Sequence, residues 1–546
     1  MPTLTWVGKD KVVNHHLDVP FRVLQRESHF DAPDGSPANS SDNRIIHGDN
    51  LAALKSLLPE FEGKINCIYI DPPYNTGNES WVYNDAVNDP KIKKWLGQVV
   101  GKEGEDLSRH DKWLCMMYPR LKLLHRLLAK DGFIFVSIDV FEFAYLKPIM
   151  DEIFGAQNFR NCISVKRGIK NVQSQFEALQ ALSVGHEYIF LYSKKPDKKL
   201  PKLSKKHDEI KAGKWDTFWR GTDRPTMRYE LLGIKPERGQ WRWEQGRATR
   251  AVKNYEDFLT KSSDNLSLDE FFLDYLQATN DKLDFVRLSG DGVVQYYVPP
   301  QEGKLASDNW MDITLSGSFT NFDTEKNVCL LDRIVEWITH DNPNAIILDS
   351  FAGSGTTAHA VLKLNAQDQG NRRFILIEME DYADTITAER VRRVMSGYGE
   401  GNKQTAGLGG SFDYYTIGAA IFNADDTLNE AVGVAVIRDY VSYSEGIATE
   451  YRTPQHKRET LTASPSKDWQ LYTPYLLGLS PETAWIFYYE ADAVTCLDLD
   501  FLGTLKFGAN KPATAIIYAD KCLFNKEFLT KHGIIFKKIP RDITRF

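Results

Sequence analysis

Two apolar runs in this chain each end on an acid and a tight turn, and this pairing limits the fold more than any other feature. KINCIYI, 64–70, runs into DPPY, 71–74, and AIIL, 345–348, runs into DSFAGSGTT, 349–357. Short continuous apolar runs bounded by turn residues read as strands buried on both faces, as in parallel sheets covered by helices. In open sheets of that kind ligands bind just beyond the carboxyl ends of the strands, so both turns can face one crevice. The expected class is therefore α/β, with one turn for a nucleotide-like ligand and the other for a planar polar target.

The glycine turn explains the first role. Missing side chains at Gly353 and Gly355 let the backbone approach a ligand, and the helix that follows offers unpaired amides at its N-terminus. RFILIE, 373–378, is the next strand and ends on Glu378, placed to accept hydrogen bonds from ribose hydroxyls. Dinucleotides and S-adenosylmethionine both suit such a turn, and the motif alone leaves the choice open. A P-loop is excluded, because Thr356 stands where its phosphate-neutralising lysine belongs.

DPPY explains the second. Asp71 closes a strand and two prolines stiffen the turn, so the carboxylate and the Pro72 carbonyl become fixed acceptors side by side. An exocyclic amine has two protons to give them. Tyr74 adds an aromatic face for stacking a base, a contact worth roughly 1–3 kcal/mol.

The remaining pattern surrounds these turns with an alternating fold. RIIHGDN, 44–50, reads as a strand followed by the helix LAALKSLL, with Asp49 either a ligand contact or an Asx cap on that helix. Residues 75–112 are polar, Gly-rich and too long for an ordinary connection, which predicts a mobile lid. A helix is expected over 113–129, with Leu114, Met117, Leu121, Leu124 and Leu128 on one stripe. GFIFVSID, 132–139, and EYIFLYSK, 187–194, supply further strands; EKNVCLLDRIVEWIT, 325–339, restores helical spacing before the glycine strand. A Gly-rich linker is expected at 397–410, and the tail beyond it is long enough for its own core.

At 546 residues the chain exceeds what one core usually serves. The segments expected are an N-terminal extension, 1–43; two halves of a catalytic domain, 44–194 and 320–400; an inserted recognition domain, 195–319; and a C-terminal domain, 411–546. The formal charge of −7 argues against a nucleic-acid partner only until it is resolved along the chain. Residues 166–253 hold 21 Lys and Arg against 10 Asp and Glu, a net of +11. That segment is the expected source of nucleic-acid affinity, with Arg220, Arg224, Arg242 and Arg247 as candidates for guanine edges. Of its four tryptophans, Trp215, Trp219, Trp241 and Trp243, most are expected in the core.

None of the six cysteines follows a proline, which removes the Pro-Cys nucleophile of 5-methylcytosine chemistry, and none has zinc-ligand spacing. No leader pattern or membrane-length apolar run is present, so a cytoplasmic location is expected.

At DPPY and FAGSG the chain resembles the amino-directed DNA methyltransferases, whose marks are (D/N/S)PP(Y/F/W) and FxGxG. DPPY precedes FAGSG with the basic insert between them, an order similar to the β class. HGDN, DGFIFVSID and HEYIFLYSK match subsidiary motifs; DPPYNTGN and the ending GIIFKKIPRDI are similar to the Mod subunits of type III restriction–modification systems. The resemblance implies a Rossmann-like, S-adenosylmethionine-dependent sheet with circularly permuted motif order, an inserted target recognition domain and a separate C-terminal α/β domain. It implies Phe351, Gly353, Ser354, Gly355 and Thr356 around the cofactor, Asp349 near its methionine amine, Glu378 on ribose and Asp49 near the adenine ring. Asp71, Pro72, Pro73 and Tyr74 are implied as catalytic, acting on a flipped-out adenine in double-stranded DNA. No metal is implied. A homodimer and a helicase–nuclease (Res-like) partner come with the resemblance, the C-terminal domain serving assembly. Other acceptors, a cytosine amine above all, and a role mainly in DNA recognition and assembly stay open. The chain departs from the family at Lys326-Asn327, where Lys-Pro is frequent, and at Ser350, where proline is common.

Overall fold

The computed structural model describes residues 3–75, 107–168, 182–222, 224–261, 266–279, 281–320, 322–401, 404–453, 475–507 and 512–544. The lid expected over 75–112 falls mostly outside them; Asn75 and the residues from Leu107 onward are described. The chain divides into two units, one made of 1–201 and 308–546, the other of 202–307.

The first unit is built on a ten-stranded sheet. Its strands in chain order are β1 (Arg22–Asp31), β2 (Asn43–His47), β3 (Ile65–Ile70), β4 (Leu128–Ile138), β5 (Phe159–Lys166), β6 (His186–Ser193), β7 (Asn309–Thr314), β8 (Ile346–Asp349), β9 (Arg373–Glu378) and β10 (Ser411–Ala420). Across the sheet they run β1-β10-β2-β9-β8-β3-β4-β6-β5-β7. From β10 to β4 every neighbouring pair is parallel. β6 reverses against β4 and β5.

This topology puts one kind of residue on one rim. Adjacent parallel strands β2, β9, β8, β3 and β4 lead at their carboxyl ends to Asp49, Glu378, Asp349, Asp71 and Asp139. Chain connections leave β3 towards β4 and leave β8 towards β9, so the sheet's switch point lies between β8 and β3, where Asp349 and Asp71 stand side by side. The antiparallel β6 begins on this same rim, which brings Glu187 to it.

Burial of both sheet faces explains the apolar runs. Ile68, Ile70, Ile134, Val136, Leu348 and Ile377 share a core with α1 (Asn50–Phe61) and α2 (Leu107–Leu127). The alternate residues face the other layer, where Phe135 meets Trp337 of α3 (Val328–Thr339) and α3 packs on α4 (Thr356–Asp368). Asn66, a polar break in the first run, accepts the Ile346 amide at 2.9 Å and so ties β3 to β8. Helix α2 starts earlier than its leucine stripe suggests and yields to strand at Leu128, which pairs with Ile65 before a register shift resumes pairing at Cys67 and Phe133.

The expected segment boundaries move for packing reasons. Residues 309–314 form the edge strand β7 instead of belonging to the insert, because Trp310 is buried against Trp337. Residues 1–43 are not an appendage, since β1 pairs antiparallel with β10. Residues 411–420 lie within the central sheet, so no separate domain begins at 411. The Gly-rich 404–410 stretch is packed, not a loose linker: Gly409 lies so close to Pro37 that a Cβ would fall 1.7 Å from its carbonyl oxygen. Beyond β10 a four-stranded sheet of Leu476–Leu479, Thr483–Phe487, Thr514–Ala519 and Ile534–Lys538 has its own apolar cluster around Leu477, Phe487 and Tyr518. Tyr443 joins this part to the α1 and α2 layer, donating to Glu62 at 2.6 Å and accepting from Arg126 at 2.8 Å.

Among its described residues the second unit has small antiparallel sheets, the α-helices Gln245–Lys261 and Leu268–Thr279, and clusters around Phe218, Trp241 and Val286 and around Phe272, Phe285 and Tyr297. Trp241 is buried and Trp219 stays exposed. Charge is polarised inside the unit: 202–253 carry 14 Lys and Arg against 7 Asp and Glu, and 254–307 carry 4 against 10. Among the described residues no helix is long and apolar enough to cross a membrane.

Candidate active site

Strand β3 delivers Asp71 to the rim, and the DPPY turn is held from behind. Trp113, fully buried on α2, donates its ring N–H to the Pro73 carbonyl at 2.7 Å. Asn75, buried at a left-handed φ of 56°, donates to Glu142 Oε1 at 2.5 Å, and His110 Nδ1 lies 2.7 Å from the same oxygen. Burial pushes the Glu142 carboxyl up to about 7. The Pro72 carbonyl, between these anchors, has no donor among the described residues.

In front of the turn stand two residues that the motif does not contain. Lys326 Nζ lies 3.1 Å from Asp71 Oδ2 and 3.5 Å from Glu187 Oε2, and it donates to the Tyr74 hydroxyl at 2.9 Å. That hydroxyl is 2.7 Å from Asp71 Oδ1 and 2.8 Å from Glu187 Oε2. Burial, with the Asp71 and Glu187 carboxylates beside it, pushes the Tyr74 phenol well above its ordinary range. Lys326 thus offsets two carboxylates gathered at one place, an arrangement that would otherwise repel.

The glycine turn is organised differently, by backbone. Gly355 caps α4 at φ 78°, where a Cβ would sit 3.0 Å from the Thr387 carbonyl oxygen. Glu378 accepts the amides of Gly353 at 2.8 Å, Met379 at 2.9 Å and Glu380 at 3.1 Å. Asp349 accepts the Phe351 amide at 3.1 Å and the Thr357 hydroxyl at 2.6 Å. Both acids are buried, and burial pushes each up to about 7 against the pull of these donors, with Asp71 adding to the rise at Asp349. Ser350 Oγ and Glu380 Oε1 are buried here with no partner among the described residues. Phe322 packs on Tyr382 beside the turn, ring centroids 5.2 Å apart. Orphaned oxygens, high-energy carboxylates and an aromatic wall suit a ligand with a planar ring, hydroxyls and positive charge.

Several expected ligand residues are engaged within the protein. Ser354 and Thr356 hydroxyls accept from Arg390 at 2.9 and 2.8 Å; this arginine is buried on α5 (Glu389–Ser396) and lies 3.4 Å from Glu325. Burial alone would raise the Glu325 carboxyl, but donors from Thr320 and Phe319, with Arg390, hold it below its ordinary value. Asp49 caps α1 through the Ala52 amide at 2.8 Å and faces Arg120 at 3.3 Å, which is the Asx-cap arrangement. Phe351 is buried in the core.

In the second unit, Arg247 makes a bidentate pair with Asp284 at 2.7 and 2.9 Å and lies over Trp243. Arg242 donates to the Thr217 carbonyl at 2.9 Å and stacks over Tyr296. The side chains of Arg220 and Arg224 are exposed and have no partner among the described residues. Among the described residues no acidic, His or Cys cluster could hold a metal ion.

The sheet with two acid-bearing turns at its switch point defines an open α/β fold with a binding crevice at that point. The chain belongs to the DNA methylase family, whose model matches residues 65–389, more than half of its length. It is 30% identical over 412 residues to the type III restriction-modification enzyme StyLTI Mod subunit of Salmonella typhimurium, covering 67% of this chain and 59% of that one. It is likewise 30% identical over 378 residues to the type II methyltransferase M.KpnI of Klebsiella pneumoniae, covering 63% and 82%. The solved M1.HpyAVI–SAM complex aligns with 64% of this chain and 98% of its own at 15% identity and a TM-score of 0.30. The chain spans little more than half the length of the type III Mod subunits it matches.

Proposed function

We propose that this protein transfers a methyl group from S-adenosylmethionine to the exocyclic amine of an adenine flipped out of duplex DNA, as the modification subunit of a restriction system in the cytoplasm. The observation that carries this reading is the adjacency of Asp71 and Asp349 at the ends of neighbouring parallel strands. An amine held at one is thereby next to a ligand held at the other. Family membership and the Mod-subunit relatives support DNA as the substrate class.

S-adenosylmethionine, when bound, supplies a methyl group on a positively charged sulfur. Glu378 would meet its ribose hydroxyls, Asp349 its ammonium, and Phe322 and Tyr382 its base. Their burial excludes water, so charge on these carboxylates counts for more than at a surface. Asp71 and the Pro72 carbonyl would accept the two amine protons and leave the nitrogen lone pair free to attack. The amine proton, acidic only once the nitrogen carries the methyl group, would pass to Asp71. Flipping costs a few kcal/mol, and stacking on Tyr74 offsets part of it. Arg220 and Arg224, whose side chains have no partner among the described residues, are the best placed of the four candidate arginines to meet DNA.

A Res-like helicase–nuclease partner completes the proposal, supported by the type III Mod-subunit relatives, and a homodimer is added from the family resemblance alone. The test is to methylate duplex DNA with methyl-labelled cofactor and digest it to nucleosides. Label in N6-methyladenine is expected; label in N4-methylcytosine would move the same geometry to the cytosine amine, and no labelled nucleoside would remove the proposal.

A further inference from the structure

The Tyr74 hydroxyl has one proton and too many acceptors. Its oxygen accepts from Lys326 at 2.9 Å, which leaves that single proton to serve Asp71 Oδ1 at 2.7 Å or Glu187 Oε2 at 2.8 Å. Two arrangements follow. With the proton turned to Asp71, the hydroxyl engages Oδ1 while Lys326 faces Oδ2 at 3.1 Å, so each oxygen already serves one donor and an incoming amine must compete for the lone pairs that remain. With the proton turned to Glu187, Asp71 Oδ1 faces a bare oxygen lone pair and lacks a donor, a costly condition at a half-buried site that a target amine relieves.

We propose that Glu187 is a positioning residue that draws the Tyr74 hydroxyl proton away from Asp71 and thereby opens the carboxylate to the target amine. Lys326 touches all three oxygens and keeps them together in both arrangements. Arg167, 3.5 Å from Glu187 Oε1, backs the other side of that carboxylate. No covalent bond changes in the switch: one hydrogen bond is exchanged for another about the Tyr74 C–O bond. Asp71 Oδ1 thus serves the hydroxyl at rest and exchanges it for the amine proton when that donor arrives. The inference rests on the methyl-transfer reading above.

A double-mutant cycle with Tyr74→Phe tests it, because phenylalanine keeps the ring and removes the contested proton. Single-turnover transfer and cofactor affinity are measured for wild type, Glu187→Ala, Tyr74→Phe and the double variant. Glu187→Ala is expected to slow transfer about tenfold or more when introduced into wild type and less than about twofold when introduced into Tyr74→Phe, with cofactor affinity unchanged. Glu187→Gln, which keeps an acceptor oxygen, restores most of the rate and covers the case in which the alanine variant does not fold. An equal loss in both backgrounds overturns the proposal, as does a glutamine variant no faster than alanine, or a Tyr74→Phe enzyme without activity. A wild-type protein that transfers no methyl group would instead overturn the underlying reading, and the two failures are separate.

Discussion

The two ends of the crevice are built on opposite plans. At the DPPY end, Asp71 and Tyr74 are governed by side chains, Lys326 and Glu187, that arrive from 252 and 113 residues beyond Tyr74. At the glycine end, Glu378 is held by three backbone amides, and Asp349 by one amide and one neighbouring hydroxyl. The difference fits what each end would bind. A ligand common to every turnover is met by a fixed backbone cradle; a target that must enter and leave meets side chains whose hydrogen bonds can be exchanged. The dipeptide Glu325-Lys326 couples the two, since Glu325 pairs with Arg390 behind the glycine turn and Lys326 with Asp71 in front of the other.

That coupling gives the largest expected effect. Arg390→Met leaves Glu325 buried without its cation and frees the Ser354 and Thr356 hydroxyls, and should destabilise the fold by about 3–5 kcal/mol in urea denaturation. Arg390→Lys should recover little, because one ammonium cannot reproduce the guanidinium fork. A loss below about 1 kcal/mol would break the link between the two ends.

A smaller effect separates the ends by pH. Asp349 and Glu378 rise from ordinary values of 3.8 and 4.5 to about 7. The folded form therefore holds protons that the unfolded chain has released, so stability falls as pH rises from about 4 to 7 and levels off above it. Asp349→Asn should reduce that fall by on the order of 2 kcal/mol, read as the difference in urea midpoints at pH 5 and 7.5. A variant with the wild-type slope would place the titration elsewhere.

Much of the architecture was legible because continuous apolar runs announce buried parallel strands: the residues flanking Asp71 and Asp349 form strands β3 and β8, and Glu378 closes β9 as its spacing indicates. The partners were not legible, because no local pattern says that Lys326 or Glu187 meets Tyr74. A signal existed in each case: Glu187 is a charge opening an apolar strand, and Lys326 keeps its place although Asn327 replaces a frequent proline. The structure explains that replacement, since Asn327 caps α3 by accepting the Cys329 amide at 2.9 Å. The boundary near 411 was hidden for a different reason, because β10 pairs with strands more than 300 residues earlier in the chain. In the basic insert, charge counts alone missed that Arg247 is spent on Asp284.

The smallest predicted effects lie in that second unit. Arg220→Ala should lower the salt dependence of DNA affinity by about one phosphate's worth, and Arg247→Ala should leave it unchanged, both read by fluorescence anisotropy across a salt series. The reverse pattern would mean that the internal ion pair opens on DNA.

The central claim is the division of labour between the two carboxylates, and calorimetric cofactor titration combined with methyl transfer on Asp71→Ala and Asp349→Ala tests it directly. Asp71→Ala is predicted to bind S-adenosylmethionine within about threefold of wild type while losing transfer by about 1000-fold or more, and Asp349→Ala to lose cofactor affinity at least about tenfold. Transfer that survives in Asp71→Ala, or cofactor affinity that survives in Asp349→Ala, would contradict the account.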